Sequence, residues 1–515
     1  MAAPPCVAGN TSTRRPARPK RSARPRRSAR SARPKRTTRT KRAKRSARPT
    51  RTRGDTMRSA LTGVRPAVPL APGALPVIGH APALVRDPLG FLTGVGYDAD
   101  MVEIRLGPDP ALLVCDPELT RQVLVHSRTF DKGGRIFDRI RQNAGDGLIS
   151  SPWSVHRRHR PLVQPAFHPR RLPRYAEEMR EEAAAMTGAW RSGSRIDVSS
   201  AMHEYAVRVL LRTLFSAASA THVLDDIRRC IPVMLRGAYQ RAMNPVALLE
   251  RLPTPGNRRF EAAVSLTKRH AAALIDEYQR SGTDHGDLLS MMLAARDERT
   301  GEGLTAREIN DHVFTLLVAG TETTAALLGW TFHLLARHPE ALERLHRELD
   351  ALGDGPLGLD TLRGLGYTHR VLTETMRLYP ASWMLTRITT EEHVLGGRRL
   401  PPGTTVVYSP YLIHRHPGVY TDPDRFDPDR WLPERAATVP RAAFIPFGAG
   451  ARKCIGDEYG LAEATIALVT VARAWTLEPD DDRPVRPVPR IALAPGPLPM
   501  TVRARRPDAP RPVQG

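Results

Sequence analysis

A chain of 515 residues with 41% hydrophobic and 25% charged residues has the composition of an ordinary globular protein and is long enough for about three domains. Its four cysteines, Cys6, Cys115, Cys230 and Cys454, form no CxxC pair, which excludes a disulfide framework and a zinc knuckle and fits a reducing cytoplasm. The net charge of +25 is typical of nucleic-acid-binding proteins, but its distribution along the chain removes that interpretation.

The chain begins with a basic tail, residues 1–56, that holds 20 Lys and Arg against the acid Asp55, a net charge of +19 that leaves +6 for the remainder. Because it has repeated Pro and almost no apolar residues, we expect it to be disordered. Three explanations stay open: a polyanion-binding arm, a targeting signal, or a start site assigned too early, with Met57 as the alternative. No apolar run follows it, as a secretory signal requires, and it lacks the periodicity of a transit peptide.

Residues 57–84 form a lead-in punctuated by Pro and Gly, with "PLAPGALPVIG" at 69–79. From 85 to 300 apolar residues recur at three-to-four-residue spacing, as in "YAEEMREEAAAMTGAWR" at 175–191, and predict helices. Short β-rich runs predict strands at 101–106, 111–115 and 404–413. The chain is therefore predicted to be mainly α with small β-sheets.

A mostly apolar run at 313–336, "VFTLLVAGTETTAALLGWTFHLLA", is long enough to cross a membrane. However, Glu322 stands at its centre beside Thr323, and an ionisable group at mid-bilayer costs several kcal/mol. We therefore predict a buried core helix. Because a buried carboxylate needs partners or a function, Glu322 and Thr323 are candidate site residues.

The stretch "FGAGARKCIG" at 447–456 surrounds Cys454 with glycines and cations. Gly450 and Gly456 let backbone N–H groups approach the sulfur, Arg452 adds positive charge, and a helical run begins just after the cysteine. These features predict a thiolate of low pKa. The residues alone leave open whether it is a nucleophile, which needs a base from elsewhere in the chain, or a metal ligand.

This stretch resembles the cysteine-ligand loop of the cytochrome P-450 family of haem-thiolate monooxygenases. "AGTETT" at 319–324 resembles the oxygen-activating segment of that family, with Glu322 and Thr323 as its acid–alcohol pair. "ETMR" is similar to the segment that carries the family's ion pair on a helix. "FDPDRW" is similar to the segment that supplies the third residue of that ion network. The residues that match these motifs are Phe447, Gly450, Arg452, Cys454 and Gly456 in the loop, and Glu374, Arg377 and Arg430 in the ion network, with Arg425 as the alternative to Arg430.

The resemblance covers about residues 65–503 and implies one cytochrome P-450 domain over 85–505, followed by a flexible tail at 506–515. It implies haem b ligated by Cys454, whose thiolate donates electron density to the iron. Glu322 and Thr323 would deliver protons on the opposite face. The residues implied in cofactor binding are Trp153, Arg157, Arg387, Phe447, Gly450, Arg452 and Gly456, with His156 as a substitute propionate partner.

Longer stretches, such as "RVLTETMRLYP" and "DPDRFDPDRWLPERAA", resemble actinomycete sesquiterpene oxygenases of the pentalenene-oxygenase type. This implies oxidation of an apolar sesquiterpene such as pentalenene in antibiotic biosynthesis. The alternatives are another lipophilic substrate (a fatty acid, steroid or macrolide), a peroxide-using haem enzyme, and polyanion binding through the basic tail. Candidate residues of an apolar pocket are Phe137, Phe314, Leu317, Val318, Ala319, Trp383, Leu385 and Leu498.

No Gly-rich flavin or nicotinamide fingerprint follows residue 456, and the cysteines form no iron–sulfur cluster motif. We therefore expect electrons to come from a separate ferredoxin and ferredoxin reductase. The protein is expected to be a monomer in a bacterial cytoplasm that takes O2 and a small apolar substrate. Neither a membrane span nor binding of a specific nucleic acid is expected.

Overall fold

In this computed structural model the described residues are 68–505 without 107–108, 216–220, 244–251 and 354–357, and all of them lie in the unit Arg65–Gly515. The tails predicted at 1–56 and 506–515 lie outside these residues, so the predicted division of the chain stays a prediction. Of the lead-in predicted at 57–84, residues 68–84 are described.

α-Helices occur along the whole described part of the chain. These are α1 (Ala81–Arg86), α2 (Pro88–Val95), α3 (Pro117–Val125), α4 (Gly134–Ala144), α5 (Trp153–Val163), α6 (Leu172–Gly188), α7 (Val198–Leu214), α8 (Thr221–Met243), α9 (Pro255–Ser281), α10 (Leu288–Ala294), α11 (Ala306–Arg337), α12 (Pro339–Asp350), α13 (Leu359–Arg363), α14 (Gly366–Leu378), α15 (Pro410–Ile413), α16 (Pro433–Ala436) and α17 (Asp457–Ala474).

The strands are shorter than most of the helices. They are β1 (Met101–Leu106), β2 (Asp109–Val114), β3 (Phe130–Asp131), β4 (Arg195–Asp197), β5 (Leu385–Thr389), β6 (His393–Leu395), β7 (Arg398–Leu400), β8 (Thr405–Tyr408), β9 (Trp475–Pro479), β10 (Val488–Pro489), β11 (Leu493–Ala494) and β12 (Pro499–Ala504). The prediction of a mainly α protein with small β-sheets is confirmed.

The largest sheet has the strand order β1-β2-β8-β5-β3, so β1 and β3 are its edges. Strands β2 and β8 are parallel, and the other neighbours are antiparallel. The strand predicted over 404–413 was too long, because β8 ends at Tyr408 and the next residues form α15. Ser409 explains the change: its hydroxyl accepts a hydrogen bond from Leu412 N at 3.2 Å and caps a helix that opens with Pro410.

Helix α11 is the central element of the core, packed against α7, α14 and α17. It begins seven residues before the predicted run because Thr305 and Glu308 form a capping box at its start. Among the described residues it is the helix long and apolar enough to cross a membrane, with a mean hydropathy of 1.3 in its most apolar window. That window is 72% buried inside the protein, as expected of a core helix.

Candidate active site

The loop that carries Cys454 is held in a tight conformation between Phe447 and α17. Cys454 N donates a hydrogen bond to Phe447 O at 2.9 Å, and a 3-10 turn spans Gly450–Arg452. Gly450 has φ +68°, and a Cβ atom at this residue would lie 2.4 Å from Leu124 O. No other residue fits there without displacing the backbone of α3.

Solvent reaches Cys454, but protein atoms crowd its thiol, and this desolvation raises the pKa of the thiol. The Gly456 N–H, Arg160 and Lys453 oppose that effect without overcoming it. The prediction that the protein alone lowers the pKa of Cys454 is therefore wrong. A metal ion at the sulfur would supply the missing positive charge, since coordination deprotonates a thiol outright.

Three cations converge beside the cysteine loop: Lys132 after β3, Arg387 on β5 and Arg452 in the loop itself. Lys132 and Arg387 are 9% and 4% exposed, and the side chain of Arg452 is 2% exposed. Burial, Arg387 and Arg452 hold the pKa of Lys132 well below its usual range, and burial lowers the pKa of Arg452 to about 10. The carboxylate within this cluster is Asp131, so two more anionic groups are needed to balance its charge.

Asp131 organises this cationic cluster. Its Oδ1 accepts hydrogen bonds from Arg452 Nη2 at 2.5 Å and from Lys132 N at 2.7 Å, while its Oδ2 accepts from Trp153 N at 2.7 Å. Asp131 therefore joins β3, the start of α5 and the cysteine loop. The sequence analysis missed Asp131 and Lys132, because "FDK" at 130–132 matches none of its motifs.

Helix α5 brings a second set of predicted residues to the same region. His156 stacks on Trp153 with ring centroids 6.3 Å apart, and burial, Arg452 and Lys132 lower the pKa of His156 to about 3. The helix contacts the loop through Arg160, whose Nη1 donates to Lys453 O at 2.6 Å. Arg157, a predicted propionate partner, is exposed and has no recorded polar contact within the described ranges.

These residues fit haem b. Its two propionates would supply the two negative charges that the cationic cluster requires, and Arg452 Nε is buried without a hydrogen-bond partner in the described residues. Cys454, an exposed residue, would supply its sulfur as a ligand to the iron. The residues that would hold the group are Cys454, Arg452, Arg387, Lys132 and Trp153.

Helix α11 divides into a core face and an accessible face. Leu317 and Thr321 are fully buried, while Leu316, Ala319 and Thr323, spaced by three and four residues, keep partial exposure. The Thr323 hydroxyl donates to Ala319 O at 2.8 Å, which leaves its lone pairs free to accept a proton donor. The accessible face is apolar apart from this one hydroxyl.

Glu322 and Thr323 are neighbours in sequence, but their side chains have different surroundings. Glu322 Oε2 accepts a hydrogen bond from Ala492 N at 3.4 Å, and burial raises the pKa of Glu322 to about 7. No hydrogen bond between Glu322 and Thr323 is recorded in the part of the chain that the structure describes. A proton passing from one to the other needs an intervening water molecule or a rotamer change.

A third acid, Glu463 on α17, was missed by the sequence analysis. It is 1% exposed, its Oε2 accepts a hydrogen bond from Thr324 Oγ1 at 3.0 Å, and its Oε1 has no partner among the described residues. Burial raises the pKa of Glu463 to about 8. Nothing in the surrounding "GLAEATI" distinguishes this residue from an exposed helical glutamate.

The ion network predicted from "ETMR" and "FDPDRW" assembles at the end of α14. Arg377 donates to Glu374 from Nε and Nη2, both at 2.8 Å, and Arg430 Nε lies 3.3 Å from Glu374 Oε1. Arg425 contacts the network only as a backbone acceptor, through its carbonyl oxygen to Arg377 Nη2 at 3.1 Å. The geometry therefore places Arg430, rather than Arg425, beside Glu374.

The predicted pocket residues differ in how exposed they are. Val318, Ala319 and Leu385 are partly accessible. Leu317 and Leu498, at 0% and 3% exposure, lie in the main hydrophobic core, and their place in the pocket stays a prediction. Leu317 is buried between the partly exposed neighbours Leu316 and Val318 of α11.

The remaining three predicted pocket residues are buried as well. Phe314 packs with Phe260 and Met234, and Trp383 Nε1 donates to Arg490 O at 3.0 Å. Phe137 lies beside the cationic cluster, with Lys132 Nζ 5.7 Å from its ring centroid. A cavity of about 410 Å³ is lined by charged residues of α4, α9 and the start of α11, including Arg141, Lys268 and Asp311, and none of its lining residues belongs to the cysteine loop.

Known proteins are similar to this chain in sequence. The family model described as cytochrome P-450 matches residues 69–502. Cyclooctatin synthase from Streptomyces melanosporofaciens is 47% identical over 434 residues, 84% of this chain and 94% of that protein. Pentalenene oxygenase from Streptomyces avermitilis is 46% identical over 421 residues, 81% of this chain and 93% of that protein.

A solved structure resembles the fold of this chain. The crystal structure of the haem domain of cytochrome P-450DA superposes with a TM-score of 0.77 at 28% identity and covers 85% of this chain and 98% of that one. The cysteine loop, the cationic cluster and the central helix thus occur in a chain that matches a single family over most of its length. The protein belongs to the cytochrome P-450 family and is a monooxygenase whose cofactor is haem b.

Proposed function

We propose that this monooxygenase oxidises a cyclic terpenoid in secondary metabolism, with a sesquiterpene hydrocarbon such as pentalenene as its first candidate substrate. The observation that carries the proposal is the accessible face of α11, where Leu316 and Ala319 offer apolar surface and Thr323 offers one hydroxyl. Removal of hydrocarbon surface from water, about 25 cal/mol per Å², would drive binding. Similarity to pentalenene oxygenase and cyclooctatin synthase supports the substrate class.

The bound haem supplies reductive activation of dioxygen at a thiolate-ligated iron. Thr323 would accept a hydrogen bond at its hydroxyl oxygen and so position the proton donor, since its own hydrogen is engaged by Ala319 O. Glu322, whose pKa of about 7 keeps both protonation states populated near neutrality, holds and releases protons from inside the protein. The apolar residues next to Thr323 exclude unneeded water.

Cytochromes P-450 take electrons from redox partners, and we assign that role to a ferredoxin with its reductase on separate chains. Cations of α5 and the cysteine loop support this: Arg157 and Lys453 are exposed, and Arg160 contacts the loop directly. An acidic ferredoxin docked on this face would lie close to the sulfur ligand. We also propose that the protein is a cytoplasmic monomer. Residues 1–56 and 506–515 would lie outside its catalytic domain.

The test is a reconstituted assay with purified enzyme, ferredoxin, reductase and a substrate panel. The panel contains pentalenene, cyclooctat-9-en-7-ol, a long-chain fatty acid and a macrolide. Cyclooctat-9-en-7-ol is included because cyclooctat-9-en-7-ol 5-monooxygenase from Streptomyces melanosporofaciens is 44% identical to this chain over 84% of its length. We expect a substrate-induced haem spectral shift and oxygenated product with a terpenoid. Turnover of the fatty acid or macrolide alone would refute the substrate class and leave the enzyme class unchanged.

A further inference from the structure

The cavity of about 410 Å³ between α4, α9 and the start of α11, here named the polar cavity, has no part in the proposed reaction. Its volume lies within the range of small-molecule sites in proteins. Asp311 in its wall stands twelve residues before Thr323 on α11, about 18 Å along a helix, so a molecule bound here is not the one that is oxidised. The charged residues that define its chemistry are Lys268, Asp276, Arg307 and Asp311.

The charges of the polar cavity are not paired with one another. In the part of the chain that the structure describes, none of these four residues has a recorded ion pair. Lys268 and Asp311 are half-buried, and burial lowers the pKa of Lys268 and raises that of Asp311. Partly desolvated charges without partners are unfavourable, and a ligand that pairs with them offsets this cost.

The balance of these charges selects the class of ligand. Arg141 also lines the polar cavity, but its guanidinium group is already paired with Asp138. Two cations and two carboxylates remain, so an anionic ligand leaves the carboxylates unpaired and a cationic ligand leaves the cations unpaired. A molecule with a carboxylate and an ammonium group close together pairs with both. Ala272, Ile275 and Ala306 add apolar surface for a short hydrocarbon side chain.

The walls of the polar cavity also hold the segment that leads to the cationic cluster beside Cys454. Arg141 Nη1 donates to Lys132 O at 3.2 Å and to Ser150 O at 3.0 Å. Asp311 Oδ2 accepts a hydrogen bond from Asp146 N at 3.1 Å. Because Lys132 belongs to the cationic cluster, a ligand that orders these walls also orders residues that would hold the haem.

We propose that the polar cavity is an effector site for a small zwitterion of the α-amino-acid type. The carboxylate of the ligand pairs with Lys268 and Arg307. Its ammonium group pairs with Asp276 and Asp311, and its side chain packs on Ile275. The bound zwitterion joins α4, α9 and α11, and through the backbone of Lys132 it slows the loss of haem. This role does not depend on which terpenoid is the substrate.

The binding test titrates the purified holoenzyme with L-leucine in an isothermal titration calorimeter. We expect a dissociation constant of about 1 mM or lower. Two matched probes each lack one of the charges: 4-methylpentanoate has no ammonium group, and L-leucinamide has no carboxylate. Each probe should bind at least about tenfold more weakly than leucine, because a charge-assisted hydrogen bond is lost.

Two variants on α9 locate the site. Lys268→Met removes the half-buried cation and should weaken leucine binding at least about tenfold. The matched control is Arg269→Met, which removes the neighbouring exposed cation outside the cavity lining and should leave the affinity unchanged. Saturating leucine should slow haem transfer to apomyoglobin about fivefold in the wild type and in the Arg269 variant. It should have no such effect in the Lys268 variant.

Three results would overturn the proposal. Absence of leucine binding up to about 10 mM, or equal binding by the wild type and the Lys268 variant, would remove the site. Tighter binding of 4-methylpentanoate or L-leucinamide than of leucine would refute the zwitterion class. Unchanged haem transfer in the presence of bound leucine would refute the effector role.

Discussion

Two buried charge clusters of this protein are balanced in opposite ways. At the end of α14 the Glu374 carboxylate accepts hydrogen bonds from Arg377 and Arg430, and also from Trp431 Nε1 at 2.9 Å and Asp427 N at 3.0 Å. Arg377 also donates to the carbonyls of His414, Pro423 and Arg425, and Arg430 also donates to those of Thr421 and Asp422. In this closed cluster two guanidinium groups share one carboxylate, and backbone carbonyls accept further hydrogen bonds from both of them.

The cationic cluster beside Cys454 is open. Lys132, Arg387 and Arg452 share the single carboxylate of Asp131, and burial and mutual repulsion lower the pKa values of Lys132 and Arg452. A closed cluster stabilises the fold, whereas an open one with surplus charge marks the place of a charged ligand. Mutations in the closed cluster should therefore lower the stability of the protein. Mutations in the open cluster should weaken haem binding instead.

The largest expected effect lies at the open cluster. Cys454→Ala should remove the thiolate-ligated carbon-monoxide difference band completely, because no other cysteine of the described residues is accessible. Cys115→Ala and Cys230→Ala are the controls and should keep the band. A band that persists in the Cys454 variant would refute the ligand assignment.

Mutation of the closed cluster should lower the stability of the protein. Glu374→Ala leaves Arg377 and Arg430 buried without their carboxylate, and we expect the free energy of unfolding to fall by about 3–5 kcal/mol. Denaturant unfolding measures this. Glu118→Ala, which breaks the exposed ion pair with Arg121, should leave the unfolding curve nearly unchanged. Similar curves for both variants would contradict the closed-cluster interpretation.

For Lys132→Met we expect a smaller effect, and it should appear in haem binding rather than in protein stability. Removal of one surplus cation relieves repulsion with Arg387 and Arg452 and also removes the hydrogen bond from Lys132 Nζ to Ile149 O at 2.6 Å, so we expect little net change in the stability of the apoprotein. It should speed haem loss about tenfold, since a charge-assisted hydrogen bond contributes about 1.5 kcal/mol. Transfer of haem to apomyoglobin gives the rate. A destabilised apoprotein with unchanged haem loss would show that the cluster is structural.

A further expected effect is a change in the pH dependence of stability. The pKa of Glu463 rises from 4.5 to about 8 on folding, so the native state binds the extra proton between these values. Its contribution to stability is complete below pH 4.5 and falls as pH rises towards 8, by up to about 1.4 kcal/mol per pH unit.

Glu463→Gln keeps an acceptor for Thr324 and removes the titration. Its unfolding free energy should decline less between pH 5 and 8 than that of the wild type, as measured by denaturant unfolding at each pH. Glu322, with a pKa of about 7, contributes a decline of the same sign in both proteins. Parallel pH profiles for wild type and variant would exclude Glu463 as the source.

The sequence by itself determined the fold class, the cysteine loop and the central helix. Each of these depends on residues close together in the chain: Cys454 with its flanking glycines, or the apolar run around Glu322. Local spacing of this kind sets helix faces and turns without reference to the rest of the molecule. The family motifs extended that information to Glu374 and Arg377.

The tertiary structure decided which distant residues meet and how strongly they are desolvated. Arg430, 56 residues from Glu374, joins the ion network while Arg425 contributes a carbonyl, and Lys132 reaches Arg452 across more than 300 residues. The raised pKa of Cys454 and the burial of Leu317 also depend on everything packed around them. Burial and long-range electrostatics are sums over the whole fold, and no short stretch of sequence contains them.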